Sequence, residues 1–62
     1  MEKIIKIISA LVGQQIDEKT EISFLIRVTG LGAGDLFDHV YEETGIRIKN
    51  YFLPRTIGEI EI

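Results

Sequence analysis

Apolar residues open the chain at helical rather than alternating spacing. Ile4, Ile5, Ile7, Ile8, Leu11 and Val12 form a broad apolar face. Lys3, Lys6, Ala10 and Gly13 recur at intervals of three and four as a narrower polar or small stripe. The spacing predicts a helix that stops at Gly13, since glycine accepts the left-handed conformation that closes helices. A strand accommodates the lysine spacing poorly. The β-branched isoleucines weaken intrinsic helix propensity, so tertiary packing must hold this element. Residues 14–21 are polar apart from Ile16 and read as a connecting loop, with Ile16 and Ile22 as its anchors to the core. Residues 23–28 (S-F-L-I-R-V) are β-branched and aromatic enough for a strand. Six residues do not exclude a loop with a short helical turn.

The second half carries the clearest amphipathic pattern. Over 36–44, Leu36, Phe37, Val40 and Tyr41 share one face, while Asp35, Asp38, His39, Glu42 and Glu43 share the other, and Gly45 supplies the stop. Asp35 suits the N-cap or the first turn of this helix, where a carboxylate meets the positive end of the helix dipole. Residues 46–53 mix Ile46, Ile48, Tyr51, Phe52 and Leu53 with polar positions, and Pro54 breaks the segment. Thr56 and Glu59 have capping-box spacing, which predicts a last helical turn; alternation at Ile60 and Ile62 leaves a strand open. The aromatic residues Phe24, Phe37, Tyr41, Tyr51 and Phe52 sit beside aliphatics and read as core. The expected core is Ile4, Ile8, Leu11, Ile22, Leu36, Phe37, Val40, Ile48, Phe52 and Ile57.

At 62 residues the chain allows one small domain, 1–62, and no two-domain enzyme with a cleft. It has no cysteine, so a disulfide framework and a thiolate zinc site are both excluded. A net charge of −3 argues against a nucleic-acid partner, whose phosphates favour a basic face. The longest apolar run is three residues, so no membrane-spanning helix is expected. Lys3 and Lys6 interrupt what would be the apolar core of a signal peptide, and a cytoplasmic location is the expectation.

Three features invite chemical readings. The first is the glycine-rich turn at 30–34, which with flanking strands would mimic a nucleotide-binding βαβ unit in a small α+β ligand binder. The dinucleotide fingerprint needs G-x-G-x-x-G, but Gly30 and Gly32 are followed by Asp35 at the third glycine's place. Asp35, Asp38 and Glu42 would also repel a phosphate there. The second is His39, the only histidine; a catalytic or metal role needs partners within reach, and zinc takes more nitrogen or sulfur ligands than this chain offers. No catalytic and no metal-binding residue is therefore assigned, and an enzyme is not expected. The third is the acidic set Asp35, Asp38, Glu42 and Glu43, which reads either as a solvated helix face or as a docking surface for the basic face of a partner protein.

The order of these elements resembles the acyl carrier protein family. The matching stretches are the opening helix E-K-I-I-K-I-I-S-A-L-V-G, the loop D-E-K-T-E-I, the acidic helix D-L-F-D-H-V-Y-E-E-T-G-I-R-I and the closing R-T-I-G-E-I. The resemblance covers most of the chain and implies an all-α fold, a small bundle of three main helices plus a short one, with 23–28 as loop. It also implies docking through the acidic helix onto partner enzymes, among them those of fatty-acid or polyketide synthesis. Carrier proteins attach 4′-phosphopantetheine to a serine in an Asp-Ser-Leu motif that opens the acidic helix. Here that motif falls on Thr29-Gly30-Leu31, so Gly30 stands at the serine's position and offers no oxygen for a phosphodiester. Thr29 is a weak substitute, and Ser9 and Ser23 lie elsewhere. A carrier-like family of unknown function, with a Thr-Gly-Asp-Asp-Ala-type stretch and a Tyr-Phe-Pro-type stretch, is similar over T-G-L-G-A (29–33) and Y-F-L-P (51–54). The combined expectation is a non-catalytic interaction module without the 4′-phosphopantetheine cofactor. The alternatives are a functional carrier modified at an unusual hydroxyl, and an oligomerising module.

Overall fold

In the computed structural model, which describes residues 1–50 and 54–62, the opening pattern folds as the isoleucine spacing dictates. Helix α1 spans Glu2–Val12. Ile4 and Ile8 lie one turn apart on its inner face and are fully buried, with Ile5, Leu11 and Val12 packed alongside. Gly13 ends the helix in the left-handed conformation at φ 76°, and its N–H donates to the Ser9 carbonyl at 2.9 Å.

The segment 23–28 is neither strand nor loop. It forms helix α2, Ile22–Thr29. Ile22 and Leu25 are three residues apart and both buried, with Phe24 and Ile26 packed beside them, while Ser23 and Arg27 are exposed one turn apart. Burial therefore follows a period near 3.6, not 2. The propensity handicap of β-branched residues is a fraction of about 1 kcal/mol each, less than the gain from burying a leucine or isoleucine. With this helix in place, the first strand that a βαβ unit requires is gone. Among the described residues the only β-type pairing is the isolated antiparallel bridge between Glu21 and Thr56.

Helix α3, Ala33–Thr44, begins earlier than the amphipathic pattern alone indicates, because Gly32 occupies the N-cap position. It buries Leu36, Phe37 and Val40. Helices α2 and α3 end with one shared device. In Thr29-Gly30-Leu31 and Thr44-Gly45-Ile46 the glycine adopts φ 75°. The glycine N–H donates to the Ile26 carbonyl at 2.8 Å and to the Tyr41 carbonyl at 2.7 Å, respectively. The threonine hydroxyl donates back to the carbonyl of Leu25 (2.8 Å) or Val40 (2.7 Å) and accepts from the N–H of Leu31 (3.2 Å) or Ile46 (3.1 Å). Each cap thus satisfies carbonyls that a helix end leaves without partners.

A short 3₁₀ turn at Ile57–Glu59 completes, among the described residues, an all-α architecture of three helices plus one turn. Thr56 and Glu59 meet side chain to side chain, Oγ1 to Oε2 at 3.2 Å, so the expected reciprocal capping box does not form. The last segment instead works as a strap. Ile22 N–H donates to the Arg55 carbonyl at 2.8 Å, Ile57 N–H to Thr20 at 3.0 Å and Gly58 N–H to Glu18 at 2.8 Å. Further on, Lys49 N–H donates to the Glu61 carbonyl (2.8 Å), while Asn50 donates through Nδ2 to Glu59 O (2.9 Å) and accepts at Oδ1 from Glu61 N–H (2.8 Å). The loop it grips is pre-shaped by Asp17, whose carboxylate accepts from Lys19 N–H at 2.9 Å and from the Thr20 hydroxyl at 3.3 Å.

One apolar cluster holds the elements together: Ile4, Ile8, Ile16, Ile22, Leu25, Leu36, Phe37, Val40, Ile48, Ile57 and Ile60. Each of the three helices touches the other two. Leu11 is partly rather than fully buried. Phe52 and Tyr51 lie outside the described residues. Ile16 and Ile22 are the loop anchors that their isolation among polar residues indicates. Tyr41 is not core; it is 42% exposed, because it lies about 40° beyond Phe37 at the margin of the buried stripe, on the side next to Asp38.

Candidate functional face on α3

Among the described residues no polar or charged side chain is buried, so whatever polar chemistry they perform belongs to the surface. The strongest concentration of charge there is on α3. Asp35, Asp38, Glu42 and Glu43 are all exposed. At about 100° per residue, Asp35, Asp38 and Glu42 fall within roughly 60° of one another and make a single stripe. Glu43 turns about 80° from Asp35, toward α1. There it lines a shallow depression with Lys3, Lys6, Ile7 and Thr44. The acidic set is therefore a stripe of three carboxylates plus a fourth beside the lysines of α1.

The electrostatics of the helix itself divide this set. Asp35 is in the first turn of α3, where the exposed amides carry partial positive charge and favour a carboxylate. Glu42 and Glu43 are in the last turn, which holds no basic residue. A carboxylate at that end faces the partial negative charge of the terminal carbonyls, and Asp38 and Glu42 add a like-charge pair at i, i+4. Within α3 itself these terms disfavour Glu42, whereas Glu43 has Lys3 and Lys6 of α1 beside it.

Two flanking residues complete the face. His39 is half-buried on α3 between Asp35 and Glu43, one turn from each. No group of three or more histidine, cysteine, aspartate or glutamate side chains with metal-binding geometry occurs among the described residues. On the opposite flank Tyr41 projects from the helix, and the Arg47 guanidinium carbon stands 4.5 Å from its ring centroid. The sequence reading missed Tyr41 as a surface group, and the signal was its place around the helix between Phe37 and Asp38, at the margin of the apolar stripe.

The position that the carrier resemblance assigns to a prosthetic serine looks different in three dimensions from its place in the sequence. Gly30 does not open the acidic helix; it closes α2 in the left-handed region at φ 75°, and α3 begins at Ala33. A serine at this site would adopt a backbone conformation that costs L-residues about 1–2 kcal/mol. The neighbouring Thr29 hydroxyl is part-buried and both donates and accepts within the α2 cap. Ser9 is half-buried within α1, and Ser23 is exposed in the first turn of α2. Ser23 lines a groove of about 420 Å³ with Glu21, Ile22, Ile26, Ala33, Pro54 and Arg55.

No helix among the described residues is long and apolar enough to cross a membrane. No family model matches the chain, and no curated protein and no solved structure matches it.

Proposed function

We propose that this chain is a carrier-like interaction module without a prosthetic arm. It docks the acidic face of α3, through Asp35, Asp38, Glu42 and Glu43, on the basic surface of a partner protein. The observation that carries this reading is the placement of Glu42, in line with Asp35 and Asp38, at the negative end of the α3 dipole with no basic residue in that turn. A complementary cation on a partner relieves that repulsion and steers the encounter. The absence of an arm is supported by the use of Thr29-Gly30-Leu31 as a helix cap, which commits the backbone of one residue and the hydroxyl of the other.

Two experiments test the reading. Incubation with coenzyme A and a broad-specificity phosphopantetheinyl transferase leaves the intact mass unchanged; a gain of one phosphopantetheine would establish a functional carrier instead. Affinity capture from a lysate of the source cells recovers a basic protein with the wild type and loses it with the Asp35→Lys/Glu42→Lys variant. Capture of the same protein by both at physiological salt would refute docking through α3.

A further inference from the structure

We infer that the strap, residues 54–62, is a conformational device: it opens and closes as one unit over three helices that stay packed, and Gly58 sets the balance between the two states. The inference is independent of docking through α3. Of the strap only Ile57 and Ile60 belong to the apolar cluster, two of its eleven buried members. Arg55, Gly58, Glu59, Glu61 and Ile62 are exposed. The other nine cluster members lie outside the strap, and each helix touches the other two without it. Hydrogen bonds hold the rest of the strap, and the Asn50 contacts to Glu59 and Glu61 among them are exposed to solvent. Few apolar anchors and exposed hydrogen bonds characterise a segment that opens at a smaller free-energy cost than the whole fold. Gly58 makes the critical contact. Its φ lies outside the left-handed region, so it is space rather than backbone conformation that calls for glycine there. An added Cβ would stand 3.2 Å from the Glu18 carbonyl oxygen, whereas one at any of the other five glycines would meet nothing within 4 Å. That same carbonyl accepts the Gly58 N–H at 2.8 Å, so it cannot retreat from a methyl group without lengthening the bond that seats the strap. Opening frees the Lys49 amide and the Ile22 amide, which starts α2 and has no partner within its own helix. It also bares the part of the cluster that Ile57 and Ile60 close.

The test is native-state hydrogen exchange of the full chain, read amide by amide by NMR under conditions where the rate reports the opening equilibrium. Five amides depend on bonds that the strap makes: Ile22, Lys49, Ile57, Gly58 and Glu61. Although they lie in three separate stretches of the chain, they share one opening constant. It exceeds those of the Ile8 and Val40 amides, within α1 and α3, by about tenfold or more. Gly58→Ala raises all five together by about fivefold or more and leaves Ile8 and Val40 unchanged. Protection of the five equal to that of Ile8 and Val40 means that the strap opens only with the whole domain, and overturns the inference. So do five constants scattered over more than about tenfold, which is fraying residue by residue, and absence of protection at all five. A Gly58→Ala protein in which the five are unchanged, or in which Ile8 and Val40 accelerate equally, overturns it too. The wild-type measurement decides whether the strap opens as a unit even if the variant fails to fold.

Discussion

Reversing the charge of Glu42 should stabilise the fold and weaken docking at the same time. The exposed Glu42 side chain lies in the last turn of α3, which carries no basic residue. Replacing it by lysine removes an unfavourable dipole interaction and adds a favourable one. Each is worth about 0.3 kcal/mol at the low end appropriate to an exposed site. The same substitution turns the like-charge pair with Asp38 into an acid-before-lysine pair at i, i+4, a change of about 0.4 kcal/mol. The sum is close to 1 kcal/mol in favour of the folded state, which raises the melting temperature by about 4–8 °C in a domain of this size. Thermal unfolding followed by far-UV circular dichroism at low salt reads it directly. The gain shrinks as salt screens the surface charges. The comparison that gives the experiment its force is Asp35→Lys at the other end of α3. That variant loses a favourable first-turn carboxylate and melts earlier, yet it weakens capture of a basic partner just as Glu42→Lys does. Opposite signs for stability with the same sign for binding separate the two effects. A Glu42→Lys protein that melts at or below the wild-type temperature in low salt would refute the argument that this glutamate is kept against the preference of its helix.

Other variants probe the caps and the strap. Gly30→Ser, which places a hydroxyl where the proposed carrier-like reading puts the serine, should cost about 1–2 kcal/mol in denaturant unfolding because the site is left-handed, and its mass should stay unchanged after incubation with coenzyme A and the transferase. Thr44→Val deletes the hydroxyl that bonds Val40 and Ile46, and should cost about 0.5–1.5 kcal/mol per bond lost, seen as a lower urea midpoint with an unchanged slope. Asn50→Ala removes both contacts to Glu59 and Glu61; hydrogen exchange at the Glu61 amide should accelerate while the amides of α1 keep their protection.

How much was legible in the sequence depends on what kind of signal each element leaves. Helix α1 and the body of α3 declare themselves through long runs of apolar residues at helical spacing. Gly13 and Gly45 mark their ends because a left-handed residue is needed there. Helix α2 was hidden by its composition: Phe24, Ile26 and Val28 favour strands, and the helix is too short for periodicity to override them. What identifies it is the threonine–glycine pair at its end, the same device that ends α3. That pair lies where the family resemblance places an attachment motif, and there it reads as a lost function rather than a cap. The strap was illegible because it is made of backbone bonds and one asparagine, which carry no pattern at all. The acidic residues were visible as a set. Their division into a stripe and an outlier near Lys3 and Lys6 depends on the angle of Glu43 and on how α1 packs against α3.

The strap also bears on the order in which this molecule assembles. Three of its hydrogen bonds join Arg55, Ile57 and Gly58 to Ile22, Thr20 and Glu18, and each closes a loop that contains α3. Closing a loop of that length costs entropy that the local helical turns do not face. The Ile57 and Gly58 amides should therefore be the last to gain protection during refolding, a latch that snaps shut only over a finished bundle.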